Sequence, residues 1–180
     1  MARNDDENVP VSILRALAHP VRLQILSLLT GASMSAAEIA RELDITHANA
    51  SYHLRVLARA GEVVEAGEER IRGGVAKRYR HPWDRDDALR PRMRTDPGTA
   101  AMHIRAVADE LVRRHAVRRG EGKAHLTDAE MWVSPQVWDD VLARVEGASR
   151  LIHSHAQPPH TEGCIHVNLT QVGFEMQSRR

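Results

Sequence analysis

The chain has 180 residues, enough for one domain with a fair core or two small ones sharing an interface. Its hydrophobic fraction of 42% and charged fraction of 27% are those of an ordinary globular chain, and aromatics at 3% leave the cores to Leu, Val, Ile, Ala and Met. The single cysteine, Cys164, excludes an intrachain disulfide and points to a reducing cytoplasm. No apolar run approaches the ~20 residues of a membrane helix, and the polar start MARNDDENVP does not read as a signal peptide. Lys and Arg (25) nearly balance Asp and Glu (24), for a net charge of +1 that by itself excludes neither nucleic acid nor small molecules.

Taken in chain order, VPVSILRALAHP predicts a short helix closing at His19-Pro20. A second helix follows with Pro20 in its first turn, where a missing N–H costs little, and Gly31 ends it. Its apolar residues, Val21 through Leu29, cover much of the circumference, which places it at the centre of a core. Ser35-Ala-Ala-Glu38 is a capping box opening a helix through Leu43, with Ile39, Ala40 and Leu43 inward. After the turn Asp44-Ile45, Thr46 is a second N-cap, and a helix runs from His47 to Ala60.

Two short helices joined by a tight turn, the second N-capped, make a helix-turn-helix. Helical spacing turns Ala50, Leu54 and Leu57 inward and His47, Ala48, Asn49, Ser51, Tyr52 and Arg55 outward. Small and polar groups there suit base edges and phosphates in a major groove. His53 falls on the core-flanking side and reads as structural. Glu62 to Gly67 and Val75 to Arg80 read as two strands with a tip over Glu68 to Gly74, a hairpin or wing. Its Arg70, Arg72, Lys77, Arg78 and Arg80 suit flanking phosphates.

The segments ALAHPVRLQIL (16–26), SAAEIARELDITHANASYHLRVLARAGEV (35–63) and VAKRYR (75–80), in this order, resemble ArsR-type winged-helix regulators over roughly residues 10–81. The resemblance implies a homodimeric bacterial repressor that releases operator DNA on binding an effector. It also implies DNA contacts through His47, Ala48, Asn49, Ser51, Tyr52, Arg55, Arg70, Arg72 and Lys77. The cysteine cluster of thiolate metal sensors would fall at Ser35, Ala37 and Ala40, none of which binds a soft metal. A second family metal site, on the C-terminal helix, is poorly reproduced by His103, Glu110 and His115.

Residues 82–98, interrupted by Pro82, Pro91, Pro97 and Gly98, read as a connector. A helix from Pro97 to about Arg119 carries the apolar stripe Ile104, Val107, Ala108, Leu111 and Val112, assigned to a dimer interface, with cover for the winged domain as the alternative. Lys123–Val133 has strand-like stretches, and Ser134-Pro135 starts a helix with Trp138, Val141, Leu142, Val145 and Ala148 inward. Cys164 to Met176 alternates Ile165, Val167 and Leu169 with polar residues, as a half-buried strand does. The expected fold is therefore mainly α with small β. A winged helix-turn-helix over 1–81 and a connector over 82–98 precede a small α+β unit over 99–180, of order helix-strand-helix-strand, for dimerisation and effector binding.

Met131, Trp132 and Trp138 line an apolar ligand pocket in one reading and form the unit's core in the other. His153, His155, His160, Cys164 and His166 offer a ligand mix that borderline metals accept, against solvated loop histidines as the alternative; Cys164 alone has no adjacent basic group to activate it. No phosphate loop, nucleophile elbow or H-E-x-x-H is present, so neither an enzyme nor a cofactor is expected. The expected partners are double-stranded operator DNA, a second copy and an unidentified small-molecule or metal effector, with no membrane. The competing readings are a metal-responsive regulator and a winged-helix interaction protein that does not bind DNA. The charge is uneven along the chain: residues 70–94 hold nine Lys and Arg against Asp84, Asp86 and Asp87.

Overall fold

The computed structural model describes residues 9–71, 74–84 and 97–177. The wing-tip Arg72 and the connector residues 85–96 lie outside the described residues. The order is α1 (Val9–Leu17), α2 (Pro20–Gly31), β1 (Met34–Ser35), α3 (Ala36–Glu42), α4 (His47–Arg59), β2 (Val64–Ile71), β3 (Gly74–Arg80), α5 (Pro97–Ala116) and α6 (Pro135–Ser154). A mainly helical chain thus carries one small antiparallel sheet of order β1-β3-β2.

The caps lie where the sequence signals them. Ser35 Oγ accepts from the Glu38 backbone N–H at 3.4 Å while the Glu38 carboxylate accepts from the Ser35 N–H at 2.7 Å. Thr46 Oγ1 accepts from the Asn49 N–H at 3.2 Å. Asp44, at φ 52°, makes the left-handed turn between α3 and α4, a conformation Asp tolerates better than most residues. The core beneath is aliphatic, with Leu14, Ile25, Leu29, Ile39, Leu54 and Leu57 fully buried. Six such side chains, each stabilising by about 1.5–3 kcal/mol on burial, suffice to join four short helices that would not hold alone.

The hairpin is longer than the sequence suggests. Glu68 to Ile71, expected in the tip, pair with Gly74 to Lys77 in the ladder. A bulge between Glu65 and Gly67 shifts the register; Gly67 there takes φ 126°, which disfavours a side chain. The third strand, β1, was not foreseen: Met34 and Ser35 pair with Tyr79 and Arg78 and fasten the hairpin to the start of α3.

Helix α5 packs on α1 and α2 by its polar side. Thr99, Ala106 and Glu110 are its buried residues, whereas Ile104, Leu111 and Val112 of the expected stripe are exposed, the last at 71%.

The second half departs from the α+β expectation. Both helices form, but residues 123–133 and 164–176 join no ladder among the described residues. The physical reason is the lack of a partner: the two segments do not pair with each other, and the sheet of the wing is made only of β1, β3 and β2. The expected inner face of α6 is likewise not enclosed; Trp138 and Val145 are half-buried while Val141 and Leu142 are exposed.

Candidate nucleic-acid interface

Helix α4 divides its residues as its spacing demands. Ala50, His53, Leu54 and Leu57 are buried against the core. His47, Ala48, Asn49, Tyr52 and Arg55 are exposed on the opposite face, and Ser51 is half-buried. Tyr52 is the largest apolar surface there, at 53% exposure. Arg55 folds back so that its Nε donates to the Ser51 carbonyl at 3.3 Å, a weak tether that leaves the guanidinium in solvent. The outer face of the helix from His47 to Arg55 thus offers an amide, a phenol, an imidazole and a guanidinium, groups able to read base edges and grip phosphates.

The structural reading of His53 agrees with its place in the core, and its partner was not foreseen. The His53 and His19 rings pack at a tilt of 46° with centroids 4.7 Å apart, and Tyr52 meets His53 edge-on at 5.2 Å. His19 precedes α2, so the pair joins the α1–α2 corner to α4. Burial pushes both imidazoles below their ordinary value, and the nearby Arg22 adds to the effect. Arg22 is itself anchored, its guanidinium donating to the carbonyls of Ala16 and Arg15 that end α1. This capping role had no signature in the sequence beyond the HPVR order.

The wing is less basic in effect than its composition suggests. Lys77 pairs with Glu65 at 2.7 Å, and Arg80 with Asp84 at 3.4 Å. Arg78 is a structural residue: it pairs with Glu38 at 3.1 Å and Glu69 at 2.6 Å and donates to the Ser33 carbonyl, clamping β3 to β1 and α3. Among the described wing cations Arg70 is exposed and without a carboxylate partner. The Lys77 and Arg80 pairs lie in solvent, where such bridges hold weakly and exchange readily for a phosphate.

The remaining candidates do not converge. Met131 is 65% and Trp132 88% exposed, while Trp138 lies against Gly173, so the three form no pocket; Met131 and Trp132 sit on an extended segment with nothing packed over it. The open cleft of about 500 Å³ lies elsewhere, between the end of α2, α3 and the tail residues Pro158 to His160. The histidines are dispersed too. His153 and His155 bond to the Ser149 and Leu151 carbonyls one turn earlier in α6, and His160 meets Glu42 at 3.0 Å. Cys164 and His166 are exposed, and no three of His, Cys, Asp or Glu come together as metal ligands among the described residues. Nor is any described helix long and apolar enough to cross a membrane.

No curated protein matches the chain. Residues 17–64, from the end of α1 to the first residue of β2, match the family described as helix-turn-helix domain, which includes ArsR-like regulators and points to DNA binding and transcription regulation.

Proposed function

We propose that this chain is a sequence-specific transcription regulator of the ArsR-like kind, a homodimeric repressor whose operator affinity is set by an effector. The observation that carries the reading is the outward face of α4. An N-capped helix, fixed by a buried aliphatic face, presents Asn49, Tyr52 and Arg55 to solvent within the segment that matches the helix-turn-helix family. His47, Ala48 and Ser51 complete the surface, and Arg70, Arg72 and Lys77 of the wing follow the phosphates alongside.

The exposed stripe of α5 supports a two-fold partner. Ile104, Ala108, Leu111 and Val112 lie away from the buried side of the helix, where a second copy would cover them, and the half-buried Val107 borders that face. Two reading helices related by that axis would meet half-sites about 34–36 Å apart. An organic effector suits this chain better than a metal, because the His and Cys donors are dispersed.

The test is a selection of bound sequences from random duplex DNA, followed by binding at increasing salt. A palindromic consensus, with affinity falling steeply as salt rises, is the expected result. Binding of random duplex as tight as the selected sequence would overturn the sequence specificity, and no salt-dependent binding of any duplex would favour the competing interaction-protein reading.

A further inference from the structure

The C-terminal third of the chain holds most of its exposed apolar surface. Trp132 is 88% exposed, Ile165 77% and Val167, Val172 and Phe174 each more than half. Helix α6 spans 20 residues and buries none of them. Most helical stability in proteins comes from packing an apolar face.

The extended segments are equally incomplete. Among the described residues, 123–133 and 165–177 make no backbone–backbone hydrogen bond, although Ile165, Val167 and Leu169 alternate as strand residues do. Residues 164–174 also carry no Lys, Arg, Asp or Glu. Exposed sheet edges are ordinarily guarded by such charges, so this edge has nothing to prevent pairing.

The surface area gives the scale. The chain exposes 14267 Å², whereas a compact chain of 20.1 kDa exposes about 8,700 Å². Residues outside the description account for at most about 4,000 Å², the area of a fully unfolded stretch of that length. The remaining excess of about 1,500 Å² is roughly twice what each partner buries in a standard interface.

We infer that residues 164–176 pair with strands of a second copy of this chain and that the α6 helices cover the resulting sheet, so that the C-terminal unit closes only in the dimer. The occupant follows from what one chain lacks and two supply. A stable sheet needs three or more strands or a covering helix; one chain offers two strand-forming segments, and two copies offer four with two helices to cover them. Identical uncharged edges meet about a two-fold axis, and the outer edges of the four-stranded sheet fall to 123–133, which carries the charges Lys123, Asp128 and Glu130. The inference rests on the homodimer reading for the identity of the partner, and adds the strand exchange to it.

The test joins molecular mass with hydrogen exchange on the full chain, without DNA. The expected mass is twice the 20.1 kDa of one chain. Amides of residues 165–176 should exchange roughly a hundredfold more slowly than in a free chain at micromolar concentration. That protection should vanish on dilution to the monomer and in a Val167→Lys, Leu169→Lys variant, while α2 and α4 stay protected. A single-chain mass overturns the inference. So does a dimer whose 165–176 amides exchange at free-chain rates, or protection that survives dilution to the monomer. Since the wild-type measurement decides alone, misfolding of the variant does not blur the result. A dimer with protected strands that ignores DNA would sink the DNA-binding reading instead.

Discussion

Gln24 in α2 donates its side-chain amide to the Glu110 carboxylate in α5 at 3.1 Å. Arg113 and Arg114 reach the same carboxylate at 2.6 and 2.8 Å, so a buried charge is surrounded by three donors from two helices. Arg114 also reaches Ser27 in α2 and Asn168 in the tail, extending the network across the helix junction. A carboxylate can be buried at 3% exposure only because each acceptor position is matched.

Glu110→Gln should therefore weaken the docking of α5. Burial alone would raise the carboxyl, but hydrogen bonds from Arg113, Gln24 and Arg114 outweigh it and hold it at about 2. The unfolded carboxyl, near 4.5, binds a proton first as pH falls, so this stabilisation is present above about 4.5 and is lost toward pH 2. The expected cost at pH 7 is about 1–3 kcal/mol, moderated because Arg113 is half in solvent. Denaturant titrations at pH 7 and pH 3 check it: the variant's deficit should shrink at the lower pH, and an equal deficit at both would contradict the charge argument.

The paired His19 and His53 rings give the mildly acidic range a signature of its own. Burial, joined by Arg22 at His19 and by His19 and then Arg22 at His53, keeps both neutral below their ordinary 6.5. An unfolded chain takes up those protons first, so the fold should lose stability as pH drops through and below 6.5. His53→Leu should flatten that part of the profile. Thermal melts between pH 7.5 and 5.5 would show it, and an unchanged slope would mean the pair does not titrate with folding.

On the reading face, Asn49→Ala or Tyr52→Ala should relax base preference by about 1–3 kcal/mol at the contacted position while leaving the dimer intact. Lys77→Ala should lower affinity for every sequence alike and reduce the salt slope by about 1. Anisotropy titrations on a selected site and its single-base variants separate the two behaviours. Equal losses on all sequences for Asn49→Ala would place it among the phosphate contacts.

Ser35→Ala removes one half of a reciprocal cap and should cost about 0.5–2 kcal/mol. The loss should fall at the upper end, because Glu38 also holds Arg78 and through it the β1–β3 pairing. Glu38→Gln would share that loss, and a denaturation midpoint for either variant equal to wild type would show the cap to be dispensable.

What the chain declares locally, it folds into. Caps at Ser35 and Thr46, the glycine ending α2 and the inward spacing of Ala50, Leu54 and Leu57 are local signals, and the reading head follows from them. Contacts between distant residues were not legible. Strand β1 is only Met34 and Ser35, too short for any period, and exists because Tyr79 and Arg78 arrive beside it. Arg78 looked like a phosphate ligand because its two carboxylate partners, Glu38 and Glu69, lie on other elements. The side by which α5 docks was also hidden, since an apolar stripe ordinarily marks the inward face and here the buried side carries Glu110. In the tail the alternation was visible, but no residue could say that a single chain leaves it unpaired.

The polar docking of α5 has a geometric consequence. In the proposed dimer, a helix bolted to the winged domain on one side and free on the other would act as a calliper jaw between two such domains. Paired helix axes sit about 8–10 Å apart, a distance fixed by the side chains between them. Residues such as Leu111 and Val112 would then set how far apart the two α4 helices stand. Changing the bulk of a residue that never approaches DNA would alter which operator length fits.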